Sequence, residues 1–254
     1  MSTGQLFLVG LGPGSRDLMS PMAVDVLERC EVVIGYSGYI DQIKDITENK
    51  EIISMDLGEE MQRAARAVEL ALAGKSVAVV SSGDAGIYGM AAPVFQKLAS
   101  SNWNGQDPIV EVVPGVSALQ SSASLLGSPL MQDFCAISLS DLMTPWEVIR
   151  KRLAAASQGD FVVVLYNPRS RKRQRHIVEA RELLLTSRGE HTPVGLVRNA
   201  YRGDQMVSLT TLGELKDRFE DVDMFTTVVI GNSTTYVAGN KMITPRGYRD
   251  ANPD

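Results

Sequence analysis

Gln5-Leu6-Phe7-Leu8-Val9-Gly10-Leu11-Gly12-Pro13-Gly14 is an apolar run that breaks into alternating glycines. Residues 5–9 have the length and continuity of a strand buried on both faces, as parallel sheets require. Glycines at its end let the backbone bend sharply and approach a ligand with no Cβ in the way. The pattern suits either a tight strand-to-helix turn or a ligand loop. It is not a P-loop, because no Lys-Ser/Thr closes it on a phosphate. Nor is it the dinucleotide fingerprint: the spacing is G-x-G-x-G, Pro13 removes a backbone donor, and the second apolar run ends in Ile34-Gly35-Tyr36, with no acidic residue for a ribose.

Runs rich in β-branched residues recur at 32–34, 76–80, 109–113, 136–139, 161–165, 194–197 and 227–230, and each reads as a strand. Between them lie helical spacings. Met61, Ala64, Ala65, Val68 and Leu72 fall on one face, with Glu59 and Glu60 in front and Gly74 behind, which suits the helix dipole and a C-terminal cap. Thr144-Pro145-Trp146-Glu147 reads as a second helix start, with threonine capping, proline in the first turn and glutamate reaching back. Strand and helix alternate, so the expected fold class is α/β with largely parallel sheets. A chain of 254 residues suits two compact domains or one large α/β unit. The best candidate boundary is the Pro114-Gly115 turn, giving domains 1–115 and 116–254.

A net charge of −5 argues against a nucleic-acid surface, which would leave a basic footprint. Cys30 and Cys135 are the only cysteines, each within an apolar run, so neither a disulfide framework nor a protein-held metal is expected. Residues 1–16 lack a basic start followed by a long apolar stretch, and no window reaches a membrane span of roughly 18 to 20 apolar residues. A cytoplasmic protein is the expectation.

Two more glycine turns follow strands. In Ser81-Ser82-Gly83-Asp84-Ala85-Gly86-Ile87-Tyr88-Gly89-Met90 the loop leads into a helix at the carboxyl end of a strand, where open α/β sheets bind ligands. Asp84 either accepts from a ligand ammonium or hydroxyl, or caps that helix. Pro114-Gly115-Val116-Ser117-Ala118 repeats the arrangement.

These three loops, with Tyr166-Asn167-Pro168 and Gly231-Asn232-Ser233, resemble in their order the tetrapyrrole (class III) methyltransferases over nearly the whole chain. Ala85 stands where proline is more usual in that family. Ile137-Ser138-Leu139-Ser140-Asp141-Leu142, Tyr166-Asn167-Pro168-Arg169-Ser170-Arg171 and Met242-Ile243-Thr244-Pro245-Arg246-Gly247-Tyr248 are similar to the branch that methylates precorrin-3B at carbon 17. The resemblance implies two unlike α/β domains with S-adenosylmethionine in the interdomain cleft, and a homodimer. It implies cofactor contacts from Pro13, Ser82, Gly83, Asp84, Ile87, Ser117, Ala118, Asn167, Ala200, Thr226 and Thr227, many through the backbone, with S-adenosylhomocysteine as product. It also implies methyl transfer with ring contraction to precorrin-4, in cobalamin (vitamin B12) synthesis.

Gly12, Gly14, Ser140, Asp141, Arg169 and Arg171 are the candidates for tetrapyrrole contact. Asp141 either meets substrate or caps a turn. The run Arg169-Ser170-Arg171-Lys172-Arg173-Gln174-Arg175 is either a solvated helix face or a holder of corrin carboxylates, with Arg169 and Arg171 nearest the strand end. No catalytic base is assigned, and His176 and His191 read as surface residues without partners. The competing readings are a cobalt-containing or other corrin substrate on the same fold, and a non-catalytic nucleotide-binding module.

Overall fold

The computed structural model describes residues 3–247; Tyr248 of the third branch string lies outside them. The chain divides into two compact units, Met1–Ala118 and Leu119–Asp254. This division follows the first residue of the helix that starts at Ala118, whereas the expected boundary at Gly115 lies in the connection that leads from the strand ending at Val113 to that helix.

The first unit is built on β1 (Gln5–Gly10), β2 (Val32–Tyr36), β3 (Glu51–Met55), β4 (Ser76–Ser81) and β5 (Ile109–Val113). All pair in parallel, in the order β3-β2-β4-β1-β5. Helices α1 (Pro21–Arg29), α2 (Ser37–Ile40), α3 (Lys44–Thr47), α4 (Glu60–Leu72) and α5 (Ala91–Ser100) connect them. Alternate side chains of each strand serve opposite faces. Leu6, Leu8, Val77 and Val79 pack with Ala64, Ala67, Val68, Val94 and Leu98 of α4 and α5, whereas Phe7, Val9, Ala78 and Val80 pack with Ala23, Val26 and Leu27 of α1. The helix leaving β1 and the helix leaving β4 therefore lie on opposite faces, although β1 and β4 are neighbours. That is a topological switch point, where the loops at the strands' carboxyl ends diverge and open a crevice.

α4 is rotated from its expected face. Ala64, Ala67, Val68 and Ala71 are buried, while Met61 and Leu72 are exposed. The sequence pattern misleads because Arg63 also turns inward, its guanidinium donating to the Asp56 carbonyl at 2.8 Å and to Met90 Sδ at 3.3 Å.

The second unit contains α6 (Ala118–Leu126), β6 (Gly127–Ser128), β7 (Phe134–Ser138), α7 (Trp146–Gln158), β8 (Val162–Tyr166), α8 (Arg175–Leu185), β9 (Pro193–Arg198), β10 (Met206–Thr211), β11 (Thr226–Ile230), β12 (Tyr236–Ala238) and β13 (Lys241–Ile243). Its main sheet runs β10-β9-β11-β8-β7. Here the expectation of largely parallel pairing is corrected: β7 and β8 are parallel, but β11 is antiparallel to β8 and β9, and β10 to β9. Only the β7–β8 connection carries a full helix in a crossover between neighbours. Residues 199–205, joining β9 to β10, are too few for the dozen or more that a parallel return needs. At the start of α7 the cap is Pro145, with no side-chain capping bond, and Glu147 turns to Arg150 instead of reaching back. Among the described residues no helix is long and apolar enough to cross a membrane.

Candidate functional site

In the first unit the three glycine loops leave the carboxyl ends of β1, β4 and β5, side by side at the switch point. They are tied to one another through the backbone. Gly12 donates to the Gly83 carbonyl at 3.0 Å and Gly83 donates to the Gly12 carbonyl at 2.7 Å, a two-way bridge outside the sheet proper. The third loop closes through Asp84, whose Oδ1 accepts from the Gly86 amide at 2.8 Å and Oδ2 from the Gly115 amide at 3.0 Å. Asp84 is therefore a brace between two loops and not the cap of α5, which starts only at Ala91. The Ser81 hydroxyl serves that end, accepting from the Met90 amide at 3.0 Å.

Gly115 explains why the third loop needs a glycine. A Cβ there would overlap the Gly83 carbonyl oxygen and lie 2.8 Å from the Gly10 carbonyl oxygen, so three backbones meet where a methyl would stand. Gly12 is constrained differently. Its φ is +76° and a Cβ would lie 2.6 Å from the Leu18 carbonyl oxygen, so a Gly12→Val variant tests folding before it tests ligand approach. Around this knot, Pro13, Gly83 and Ser117 are buried, Gly14, Ser82, Asp84 and Ala118 half-buried, and Ile87 and Tyr88 exposed. The structure thus brings together all of the expected contacts of the first unit: Gly12, Pro13, Gly14, Ser82, Gly83, Asp84, Ile87, Ser117 and Ala118.

The remaining expected contacts share one edge of the second unit's sheet. β7, β8 and β9 run the same way, so their carboxyl ends lie beside the amino ends of β10 and β11. Asn167 and Ala200 leave β8 and β9 at this edge, and Thr226 and Thr227 open β11. Asn167, at φ +49°, donates through Nδ2 to Ser138 Oγ at 3.0 Å, tying the β8 end to the β7 end. Ser138 Oγ also accepts from the Ser140 amide at 3.2 Å. The Thr226 hydroxyl is occupied locally, accepting from the Asp223 amide and donating to Asp223 Oδ1 at 2.9 Å, and the Thr226 amide donates to the Asp223 carbonyl at 3.3 Å.

Asp223 also receives Arg198 Nε at 2.8 Å, and Arg198 reaches Asp204, which accepts from Asn199 Nδ2 at 2.7 Å. This network pins both ends of the turn that presents Ala200. Burial alone would raise the Asp223 carboxyl, but hydrogen bonds from Arg198, the Phe225 amide and Thr226, with the Arg198 charge, outweigh it and hold the group below its ordinary value.

The basic run is not a helix face. α8 begins at Arg175, and residues 169–174 form a loop. Arg169 is engaged internally, donating to the Phe219 carbonyl at 2.8 Å and to Glu220 at 2.6 Å; Arg171 is exposed. The Ser170 and Arg173 backbones bond to each other in both directions, and this tight turn sends Arg171 and Lys172 outward while Arg173 folds in. Burial lowers the Arg173 pKa from its ordinary value, with Asp141 opposing the shift.

His176 corrects the surface reading. Its ring stacks on Trp146 at 3.9 Å between centroids, Nδ1 lies 3.0 Å from the Leu139 carbonyl, and Nε2 lies 3.5 Å from Asp141 Oδ2. Because a carbonyl only accepts, Nδ1 carries a proton. Asp141 thus meets His176 and, at 3.9 Å, Arg173 Nε, instead of capping a turn. The separation of residues 141, 146, 173 and 176 hid this cluster in the sequence. His191 is exposed.

A family model for the tetrapyrrole (corrin/porphyrin) methylases matches residues 5–216. The chain is 48% identical over 243 residues to a probable cobalt-factor III C(17)-methyltransferase of Salmonella typhimurium, spanning 96% of this chain and 99% of that one. It is 48% identical to the cobalt-factor III methyltransferase of Priestia megaterium, spanning 97% of this chain but only 45% of that longer protein. A precorrin-3B C(17)-methyltransferase of a Sinorhizobium species is 37% identical over 98% of this chain and 99% of its own length. Among solved structures, the methyltransferase CobJ superposes with a TM-score of 0.89 at 34% identity, covering 95% of this chain and 100% of that one.

Proposed function

Because this chain belongs to the tetrapyrrole (corrin/porphyrin) methylase family, we propose that it methylates a corrin precursor at carbon 17, taking precorrin-3B to precorrin-4 with contraction of the ring. The observation that carries the reading is the knot of three strand-end loops at the switch point of the parallel sheet, fixed by the Gly12–Gly83 bridge and by Asp84 on Gly115.

The methyl donor in this reading is S-adenosylmethionine, whose sulfonium methyl is already activated. The residues present suit such a ligand: small residues keep the loop backbones accessible, and each Asp84 oxygen, with one amide bound, retains capacity to accept from a hydroxyl or ammonium. Pro13, Ser82, Gly83, Asp84, Ile87, Ser117 and Ala118 would hold the donor in the first unit, and Asn167, Ala200, Thr226 and Thr227 would add contacts from the second. The protein's contribution is alignment of two reactants and exclusion of water, since rigid placement supplies much of the rate in a reaction whose electrophile needs no activation. Gly12, Gly14, Ser140 and Arg171 remain proposed tetrapyrrole contacts; Arg169 suits a bracing role better, given its internal partners, and Asp141, turned toward His176 and Arg173, a positioning one. A cytoplasmic homodimer accompanies this reading.

A second reading has support in the comparisons: a cobalt-containing substrate, since the relatives named for cobalt-factor III reach 48% identity and the one named for precorrin-3B 37%. Anaerobic incubation with S-adenosylmethionine and each substrate, followed by mass spectrometry, separates the two. A one-methyl gain on the metal-free compound supports the first reading, and a gain on the cobalt compound alone supports the second. No gain on either, from protein that binds S-adenosylhomocysteine, would overturn both.

A further inference from the structure

Arg173 is the member of the basic run whose surroundings are incomplete. Its side chain is only 11% exposed, and its Nη1 is buried with no hydrogen-bond partner. Nη2 has only the thioether of Met224 at 3.7 Å, a weak acceptor, and Nε faces Asp141 at 3.9 Å, beyond hydrogen-bond length. A guanidinium offers five donors in a planar fork, and leaving them unmet in a desolvated setting costs more than leaving them in water. Arg169, by contrast, has both terminal nitrogens hydrogen-bonded, and Arg171 stands in solvent.

The neighbourhood is amphipathic. Immediately after Asp141, the carboxylate that faces Arg173, come Leu142 and Met143, 85% and 87% exposed, an apolar tip next to it in the chain. Met224, which touches Arg173, precedes the buried Thr226 and Thr227 at the same sheet edge that presents Asn167 and Ala200. An inorganic anion would use the cation but not the tip, and a neutral apolar ligand would use the tip but not the cation. A broad apolar ring bearing carboxylate arms uses both.

We propose that Arg173 binds a carboxylate side arm of the tetrapyrrole through its unpaired guanidinium edge, with Leu142 and Met143 against the macrocycle and Asp141 and His176 as positioning residues. The assignment rests on the reading of the protein as a corrin methylase. Asp141 keeps the guanidinium oriented from one side, and His176, held by Trp146 and the Leu139 carbonyl, keeps Asp141 in place. The Ser170–Arg173 turn fixes the backbone from which the side chain projects.

The test is calorimetric titration of the full chain with two probes: a corrin polycarboxylic acid, and the same macrocycle with its carboxylates converted to primary amides. Wild-type protein is expected to bind the acid more tightly than the amide. Arg173→Gln should shrink that preference by about ten-fold or more, the worth of one charge-assisted hydrogen bond, while S-adenosylhomocysteine affinity stays within about two-fold. A role in folding alone would not change the ratio of acid to amide affinity. An unchanged ratio in Arg173→Gln would overturn the assignment, as would a wild-type protein that binds both probes equally. If Arg173→Gln does not fold, Arg173→Lys decides: loss of the fork should lower the ratio at least about three-fold, and a wild-type ratio would overturn the proposal. Failure of wild type to bind either corrin, with S-adenosylhomocysteine still bound, would sink the corrin reading itself, a different outcome from an intact ratio in the variant.

Discussion

Asp84→Ala removes a side chain that ties the β4 loop to the β5 loop. Its carboxylate accepts from the Gly86 amide at 2.8 Å and the Gly115 amide at 3.0 Å, and both donors lose their partner in the variant. Bonds to a charged acceptor contribute about 1.5 to 3 kcal/mol each, and the low end applies because Asp84 is half-exposed, so the pair predicts a loss of about 3 kcal/mol. Asp84→Asn keeps one acceptor oxygen but sets an NH2 group against the other amide, so roughly half of that loss is expected. Urea unfolding followed by circular dichroism should rank wild type above Asn and Asn above Ala. Calorimetric titration of the folded variants with S-adenosylhomocysteine should show the same order in affinity, because the loops carry the proposed donor contacts. An Asp84→Ala variant within about 0.5 kcal/mol of wild type would refute the bracing argument, since surface substitutions lie in that range. Lost stability with unchanged affinity would confine Asp84 to bracing and remove it from the ligand.

Gly115→Ala should destabilise the first unit by about 1 to 3 kcal/mol through overpacking against the Gly83 and Gly10 carbonyls, read as a lowered urea midpoint; a neutral result would mean that the three loops are not in contact. The Asp223 carboxyl, held below its ordinary value, contributes stability that is full at neutral pH and is lost as the pH falls from about 4 through the folded-state value. Asp223→Asn should flatten that acid limb in a pH series of urea midpoints, and an unaltered limb would show that the Arg198 contact is not formed in solution. His176→Ala should expose Trp146 and cost about 1 to 2 kcal/mol, whereas His176→Phe should keep the stack and lose less. The measurement is unfolding together with the Trp146 emission maximum in a Trp103→Phe background, and equal losses in the two variants would discount the stacking.

The first unit was legible because its inner strands are buried on both faces, so residues 5–9, 32–34 and 76–80 stand out as apolar runs, while residues 109–113, an edge strand interrupted by Glu111, showed through their β-branched residues. β3 and β10 lie at sheet edges with only part of each strand covered, and β6, β12 and β13 are two or three residues long, so none left such a run. The hairpin joining β9 to β10 could have been anticipated: Asn199 to Gln205 is too short for a crossover, and Val207 and Leu209 alternate with polar residues. At the site, glycine turns after strands pointed to the loops, but not to the role of Asp84, which depends on Gly115, far from it in sequence. The Asp141–His176–Trp146–Arg173 group was hidden for the same reason. Local pattern shows which element a residue belongs to, and it takes the β7–β8 pairing, which carries Asp141 and the basic loop, together with the packing of α7 on α8, which carry Trp146 and His176, to bring the four together.

The most direct test of the central claim is to follow a labelled methyl group. Wild-type protein would be incubated anaerobically with S-adenosylmethionine carrying a carbon-13 methyl and, separately, precorrin-3B or its cobalt-containing counterpart, and the product examined by carbon-13 NMR. One new labelled methyl is expected, attached to carbon 17 of the macrocycle. Label at a different ring carbon, or none from protein that binds S-adenosylhomocysteine and both substrates, would contradict the claim.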